Sequence, residues 1–316
     1  MRCWNTFNLK IRIAYAWSAQ RQKTINQIIA LCKRGENTSL TSFINIPEVS
    51  DKFTDTFHYP KLEGTPELLC PPQTNHYSMI GTAFDYLLRF AVEVENEQAI
   101  TKKWVAETAV EMTKNTGYFK VCNAALKEAT NAYNNYKKTK KLADETLRGA
   151  LLLAQLDPIY RAGTMDPNIG TIEKLDIEDM KNLISCAKLD AFKAKKVCHL
   201  NPTFGAGSIL VGGADADIII DNTIIDIKTV KNFKLDKKYY NQLIGYYILG
   251  KIGGIDGLNE KLEIKNLAIY YSRHATFVNF KISEIMKDVD EVKFTAWFKK
   301  TARDRRHSKA VDLGFA

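Results

Sequence analysis

Residues 212–230 read GGADADIIIDNTIIDIKTV. Two short runs rich in β-branched residues, Ala216–Ile220 and Thr223–Val230, flank Asp221-Asn222, a pair that suits the positive φ of a tight hairpin turn. With those two at the turn, Ile220 faces Thr223, and counting outward sets Asp217 against Asp226 and Asp215 against Lys228. Side chains alternate along a strand, so Asp215, Asp217, Asp226 and Lys228 share one face while Ile218, Ile220, Ile225 and Ile227 share the other. Adjacent carboxylates repel unless a cation lies between them, and Mg²⁺ favours such a place: one or two carboxylates, waters and phosphate oxygens. The Lys228 ammonium beside it could orient the attacking water and offset charge on a pentavalent phosphate, while the ion lowers the pKa of that water. These are the tools of phosphodiester hydrolysis. Alternating Asp and Ile is also the pattern of a plain hairpin with one solvated face.

Working outward, the spacing predicts a helix over Lys237–Leu249, on which Gln242 and Tyr246 stand one turn apart on one face. Strands at Leu267–Tyr271 and Thr276–Ile282 and a basic final helix follow. On the other side, Ser208–Gly213 (SILVGG) reads as a further strand of a meander. Between Tyr77 and Asp190 apolar residues recur every three or four positions, predicting a helical region that Asp157-Pro158 and Gly163–Gly170 interrupt before a helix over Ile177–Leu189. From Leu40 to Pro72 no period is sustained, and loops with one short helix are expected.

The glycine-led acidic strand, the Asp226-Ile227-Lys228-Thr229 strand and the Gln242-x-x-x-Tyr246 helix occur here in the order found in the RecB-like branch of the PD-(D/E)xK nuclease superfamily, which this chain resembles over Gly205–Leu249. A second segment, GTAFDYLL at Gly81–Leu88, is similar to the first helix motif of that family, although Asp85 stands where the family has a metal-binding histidine. Aspartate is an acceptable ligand for Mg²⁺ or Mn²⁺.

The resemblance implies an α/β fold: a restriction-endonuclease-like core with a mixed central β-sheet flanked by helices, plus a largely helical N-terminal region. It implies a metal-dependent deoxyribonuclease with Asp217, Asp226, Lys228, Gln242 and Tyr246 as catalytic residues. The metal ligands would come from Asp217, Asp226, the Ile227 carbonyl, Asp215 and Asp85, with Asp215 and Asp217 competing as the main first-strand ligand. Gln242 and Tyr246 would orient Lys228 or the substrate, unless they merely pack on the sheet. Relatives act in DNA repair and recombination, phage or mobile-element biology and defence. Some hold an iron-sulfur cluster through cysteines downstream of the Gln-Tyr helix. No cysteine follows Cys198, so no cluster is expected. The expected organisation is an irregular and helical segment 1–76, a helical region 77–200 with the first nuclease helix motif, a nuclease core 201–300 and a basic tail 301–316.

Composition sets broader bounds. A formal net charge of +9 over 316 residues favours a polyanionic partner but equally describes many soluble proteins with none, and it is the resemblance that implies DNA, with RNA not excluded. Basic clusters at Tyr133–Lys141, Lys193–Lys196, Lys234–Lys238 and Lys299–Arg306 could contact phosphates or form solvated helix faces. Six scattered cysteines with no C-x-x-C pair suit reduced thiols. Cys186, Cys198 and His199 lack the spacing of a zinc site. The first residues lack a continuous apolar segment, and no stretch reaches the length of a membrane span, so a cytoplasmic protein is expected. With no helicase motif, the chain would act alone, as a homo-oligomer, or with a separate helicase or protein partner. Two rival functions fit the same residues: a silent nucleic-acid-binding module, and a metal-dependent hydrolase of small phosphate esters.

Overall fold

The computed structural model describes residues 39–62, 64–258 and 262–312, with side chains through Arg305. Five strands, β1 (Cys198–Leu200), β2 (Ile218–Ile220), β3 (Thr223–Lys228), β4 (Asn266–Tyr271) and β5 (Thr276–Lys281), form one sheet in that order. All neighbours are antiparallel except β3 and β4, which run parallel, so the sheet is mixed. Among the described residues the helices are α1 (Leu40–Ile44), α2 (Pro47–Thr56), α3 (Tyr77–Glu95), α4 (Val105–Met112), α5 (Phe119–Thr139), α6 (Asp144–Arg161), α7 (Lys174–Cys186), α8 (Ala206–Leu210), α9 (Lys237–Gly253), α10 (Ile282–Ile285) and α11 (Glu291–Asp312). The chain is therefore α/β, and α9 is the crossover that a parallel β3–β4 pair requires.

The hairpin register is the one its turn residues dictate: Ile220 pairs with Thr223, Ile219 with Ile224 and Ile218 with Ile225. Asp221 takes φ +48 while Asn222 does not enter the positive-φ region, so one left-handed residue suffices for the turn. The Asp221 carboxylate also accepts the backbone N–H groups of Lys195, Lys196 and Val197, which ties β1 to the hairpin.

Both faces of the inner strands β2, β3 and β4 are covered, so their bodies are apolar on both sides, while the edge strand β5 is largely part-exposed. Ile218, Ile220, Ile225 and Ile227 pack against the helical region α3–α7, and Ile219, Ile224, Leu267 and Ile269 pack against α1, α2, α9 and α11. On the second face Phe43 and Phe53 meet Phe298 and Phe294 edge-on, closing the N-terminal helices onto α11. Each such side chain stabilises the fold by about 1.5–3 kcal/mol when fully buried.

Several expectations are corrected. SILVGG is not a strand: Ser208–Leu210 end the helix α8, and Val211–Gly213 turn out of it. A Cβ on Gly207 would lie 2.6 Å from the Leu249 carbonyl oxygen, so the segment runs against α9. Close packing there overrides β propensity. Pro158 does not end its helix: α6 continues to Arg161 because twelve of its eighteen residues are buried, Ile159 beyond the proline among them, and Arg161 pairs back to Asp157 one turn earlier. Leu40–Pro72 holds two helices, α7 begins at Lys174, and β1 carried no signal because it is only three residues long.

One buried ion pair locks the helical region to the sheet. Arg273, in the tight turn between β4 and β5, donates to both oxygens of Asp179 on α7 at 2.8 and 3.0 Å, and to the Cys70 carbonyl at 3.0 Å. Neither side chain is more than 2% exposed. Asp179→Ala, which leaves a buried guanidinium without its partner, is expected to lower stability by about 3–5 kcal/mol in denaturant unfolding. The double variant Asp179→Leu/Arg273→Met should recover much of that loss.

Candidate active site

The hairpin, α3 and α9 meet at the C-terminal end of β3. There the apolar strand gives way to Asp226 and Lys228, and Gly81 on α3 approaches Thr229. A cleft of about 290 Å³ opens at this end, and Asp85, Asp215, Asp217, Asp226, Ile227, Lys228, Gln242 and Tyr246 all line it. Three elements far apart in sequence thus deliver every residue singled out above to one cavity. None of the described side chains of the four basic clusters lines it.

The contacts are specific. Asp217, next outward from the Ile218–Ile225 pair, accepts the Ile227 N–H at 2.6 Å. Asp226 is 1% exposed at its side chain, with the Lys228 ammonium 2.7 Å from its Oδ2. Lys228 donates to Gln242 Oε1 at 3.2 Å, and Gln242 Nε2 donates to the Tyr246 hydroxyl at 2.7 Å. The Gln-Tyr pair therefore positions the ammonium as well as packing on the sheet. Asp85 Oδ2 accepts from Arg89 Nη2 at 2.5 Å, while Asp85 Oδ1 is buried with no partner.

Asp215 departs from the expected pairing. It does not stand opposite Lys228, because the ladder ends at Ile218. It bridges Thr203 instead, and its carboxylate pairs with Arg161 at 3.1 Å.

Other residues of the site gave little signal in sequence. Tyr239, one turn before Gln242, places its ring 4.7 Å from the Lys228 ammonium. The helical spacing of Tyr239, Gln242 and Tyr246 contained this information. Arg161 lines the cleft between Asp157 and Asp215, and Asp157 accepts the buried Tyr86 hydroxyl at 2.6 Å. Ending the helix at Pro158 hides this arginine.

Electrostatically the cleft is over-supplied with acid. Burial, with Asp85 and Asp226 nearby, pushes the Asp217 carboxyl well above the usual carboxylate range. Burial also raises Asp226, against the pull of Lys228. Burial works to lower Lys228, but Asp226 and Asp217 outweigh it and hold the ammonium above its ordinary value. The Tyr246 hydroxyl is driven well above its own range by burial and by the same acids. A divalent cation would relieve this repulsion, and the buried, unpartnered Oδ1 of Asp85 is the donor type that Mg²⁺ or Mn²⁺ accepts. As they stand, Asp85 turns to Arg89 and Asp226 to Lys228, and among the described residues no three Asp, Glu, His or Cys side chains are gathered closely enough to clasp an ion.

No family model, curated protein or solved structure matches this chain, so the site stands on its own geometry.

An acid whose pKa is raised by folding binds its proton more tightly in the folded state. Its contribution to stability therefore falls as pH rises from the unfolded carboxylate value, about 4, through the raised one. In EDTA, Asp217→Asn is expected to raise the thermal unfolding midpoint at neutral pH by a few degrees. The gap from wild type should widen as pH increases from about 4. An unchanged or lowered midpoint would show that the acids do not strain the fold.

Proposed function

We propose that the chain is a Mg²⁺- or Mn²⁺-dependent nuclease with a restriction-endonuclease-like core that hydrolyses DNA phosphodiester bonds. The observation that carries this reading is the shared cleft of Asp217, Asp226, Lys228, Gln242 and Tyr246, joined by the buried, unpartnered Oδ1 of Asp85. Asp217 and Asp226 would hold the ion, helped by Asp85 and the Ile227 carbonyl. Asp215 is the lesser first-strand ligand because Arg161 engages it. The bound ion supplies positive charge at the phosphate and acidifies water.

The protein's own groups do the rest. Lys228 stays protonated beside two acids, so it donates to a water or phosphate oxygen and offsets charge that develops in the transition state. Gln242, held by Tyr246, fixes the direction of that ammonium from one side, and the Tyr239 ring confines it from another. The acids of the cleft repel a polyanion until a cation neutralises them, which makes metal and substrate binding interdependent. Among the described residues no helix is long and apolar enough to cross a membrane, and a cytoplasmic setting fits the unpaired thiols.

One observation favours a second reading. Asp85, Asp226 and Asp215 each already face a cationic side chain, as they would in a silent nucleic-acid-binding module. Incubation of linear duplex, circular and single-stranded DNA, and of RNA, with Mg²⁺, Mn²⁺ or EDTA separates the two. Cleavage that needs the metal and falls by about 10²–10³ in both Asp226→Ala and Lys228→Ala is the expected result. Binding with no cleavage under any condition would establish the silent module.

A further inference from the structure

A second groove, of about 630 Å³, runs from the acidic cleft and shares Arg161, Gly213, Ala214 and Asp215 with it as common walls. Its composition differs sharply from the cleft. Lys102 and Lys103 supply cations, while Trp104, Tyr160 and Ile209 supply apolar surface. Ile209 is 64% exposed and Tyr160 38% exposed, where the other described aromatic and aliphatic side chains are mostly buried or part-buried. Trp104 is a firm support, since its ring packs edge-on against Tyr133 at 4.9 Å and lies 5.5 Å from Phe90. Gly212 and Gly213 leave one wall without bulk, and a Cβ on Gly213 would meet nothing within 4 Å.

We infer that this groove holds a single strand of nucleic acid leading into or out of the cleft. A duplex presents sugars and phosphates outward and keeps its base faces stacked inside, so it has no use for apolar platforms beside lysines. A single strand offers both phosphates and unstacked bases, and grooves that bind it interleave cations with aromatic rings. The lysines are available for exchange. Lys102 donates to Thr203 at 2.6 Å and stands 3.4 Å from Asp256, and Lys103 pairs with Glu111 at 2.9 Å. Such part-exposed pairs contribute little and can be replaced by phosphate contacts. Arg161, clamped by Asp157 and Asp215 where the two cavities join, is placed to receive the phosphate next to the one in the cleft.

This inference rests on the nuclease reading for its direction but is tested apart from it. Binding of fluorescein-labelled oligo(dT), and of a blunt duplex of equal length, is measured by anisotropy in EDTA. The proteins compared are wild type, Tyr160→Ala, Tyr160→Phe, Lys103→Glu and Asp226→Ala, each checked for an unchanged thermal midpoint. Oligo(dT) should bind wild type more tightly than the duplex does. Tyr160→Ala and Lys103→Glu should each weaken it by about tenfold, with Tyr160→Phe close to wild type. Asp226→Ala should retain binding even where cleavage is lost, so a failed nuclease reading would leave the groove standing. Equal affinity for duplex and single strand, or wild-type binding of oligo(dT) by both Tyr160→Ala and Lys103→Glu, would overturn the inference while leaving cleavage untouched.

Discussion

Asp226 and Lys228 lie two residues apart at the end of a strand that is buried on both faces, and their charges must be kept together there. Removing either from water is costly, and the cost is tolerable only with a partner within a few ångströms and further hydrogen bonds around the pair. The surrounding structure meets that demand in layers. Asp217 reaches across the hairpin to the Ile227 N–H, Gln242 takes the Lys228 ammonium, and Tyr246 holds Gln242. Asp85 and Arg89 enter from the opposite side of the sheet as a second pair. The apolar body of the hairpin supplies the rigidity that makes these directions reproducible.

The layers explain why the helical region is part of the site and not an appendage. Helices α3 and α6 bring Asp85, Asp157 and Arg161 to the cleft at the end of β3, while the helical region they belong to buries Ile218, Ile220, Ile225 and Ile227. The Arg273–Asp179 lock holds this region against the sheet just past the C-terminal end of β4, the end that Lys228 shares in the parallel pair. Acidic excess in the cleft works against stability, as is common where a site is built for a cation or a developing charge. The neighbouring groove has the opposite character, lysines and exposed apolar groups, and Arg161 belongs to both.

The hairpin and its register were legible in the sequence, because alternation and the Asp221-Asn222 turn leave one pairing that buries the isoleucines together. The face of α9 that carries Gln242 and Tyr246 was legible for the same kind of reason, and Tyr239 lay on it unread. Asp85 stood out only through likeness to a family motif. The position of Asp215 was misjudged because register counting assumes the ladder continues, and here it stops at Ile218.

What the sequence determined by itself was local: period, turn chemistry, and the set of acids with one lysine that two short strands present. Those follow from backbone geometry, which each residue carries with it. Only the tertiary structure decided that Ser208–Leu210 are helical, that α6 runs past Pro158 to deliver Arg161, and that Arg273 finds Asp179. These outcomes depend on packing between segments distant in sequence, where burial and close contact are worth more than the propensity of any single residue.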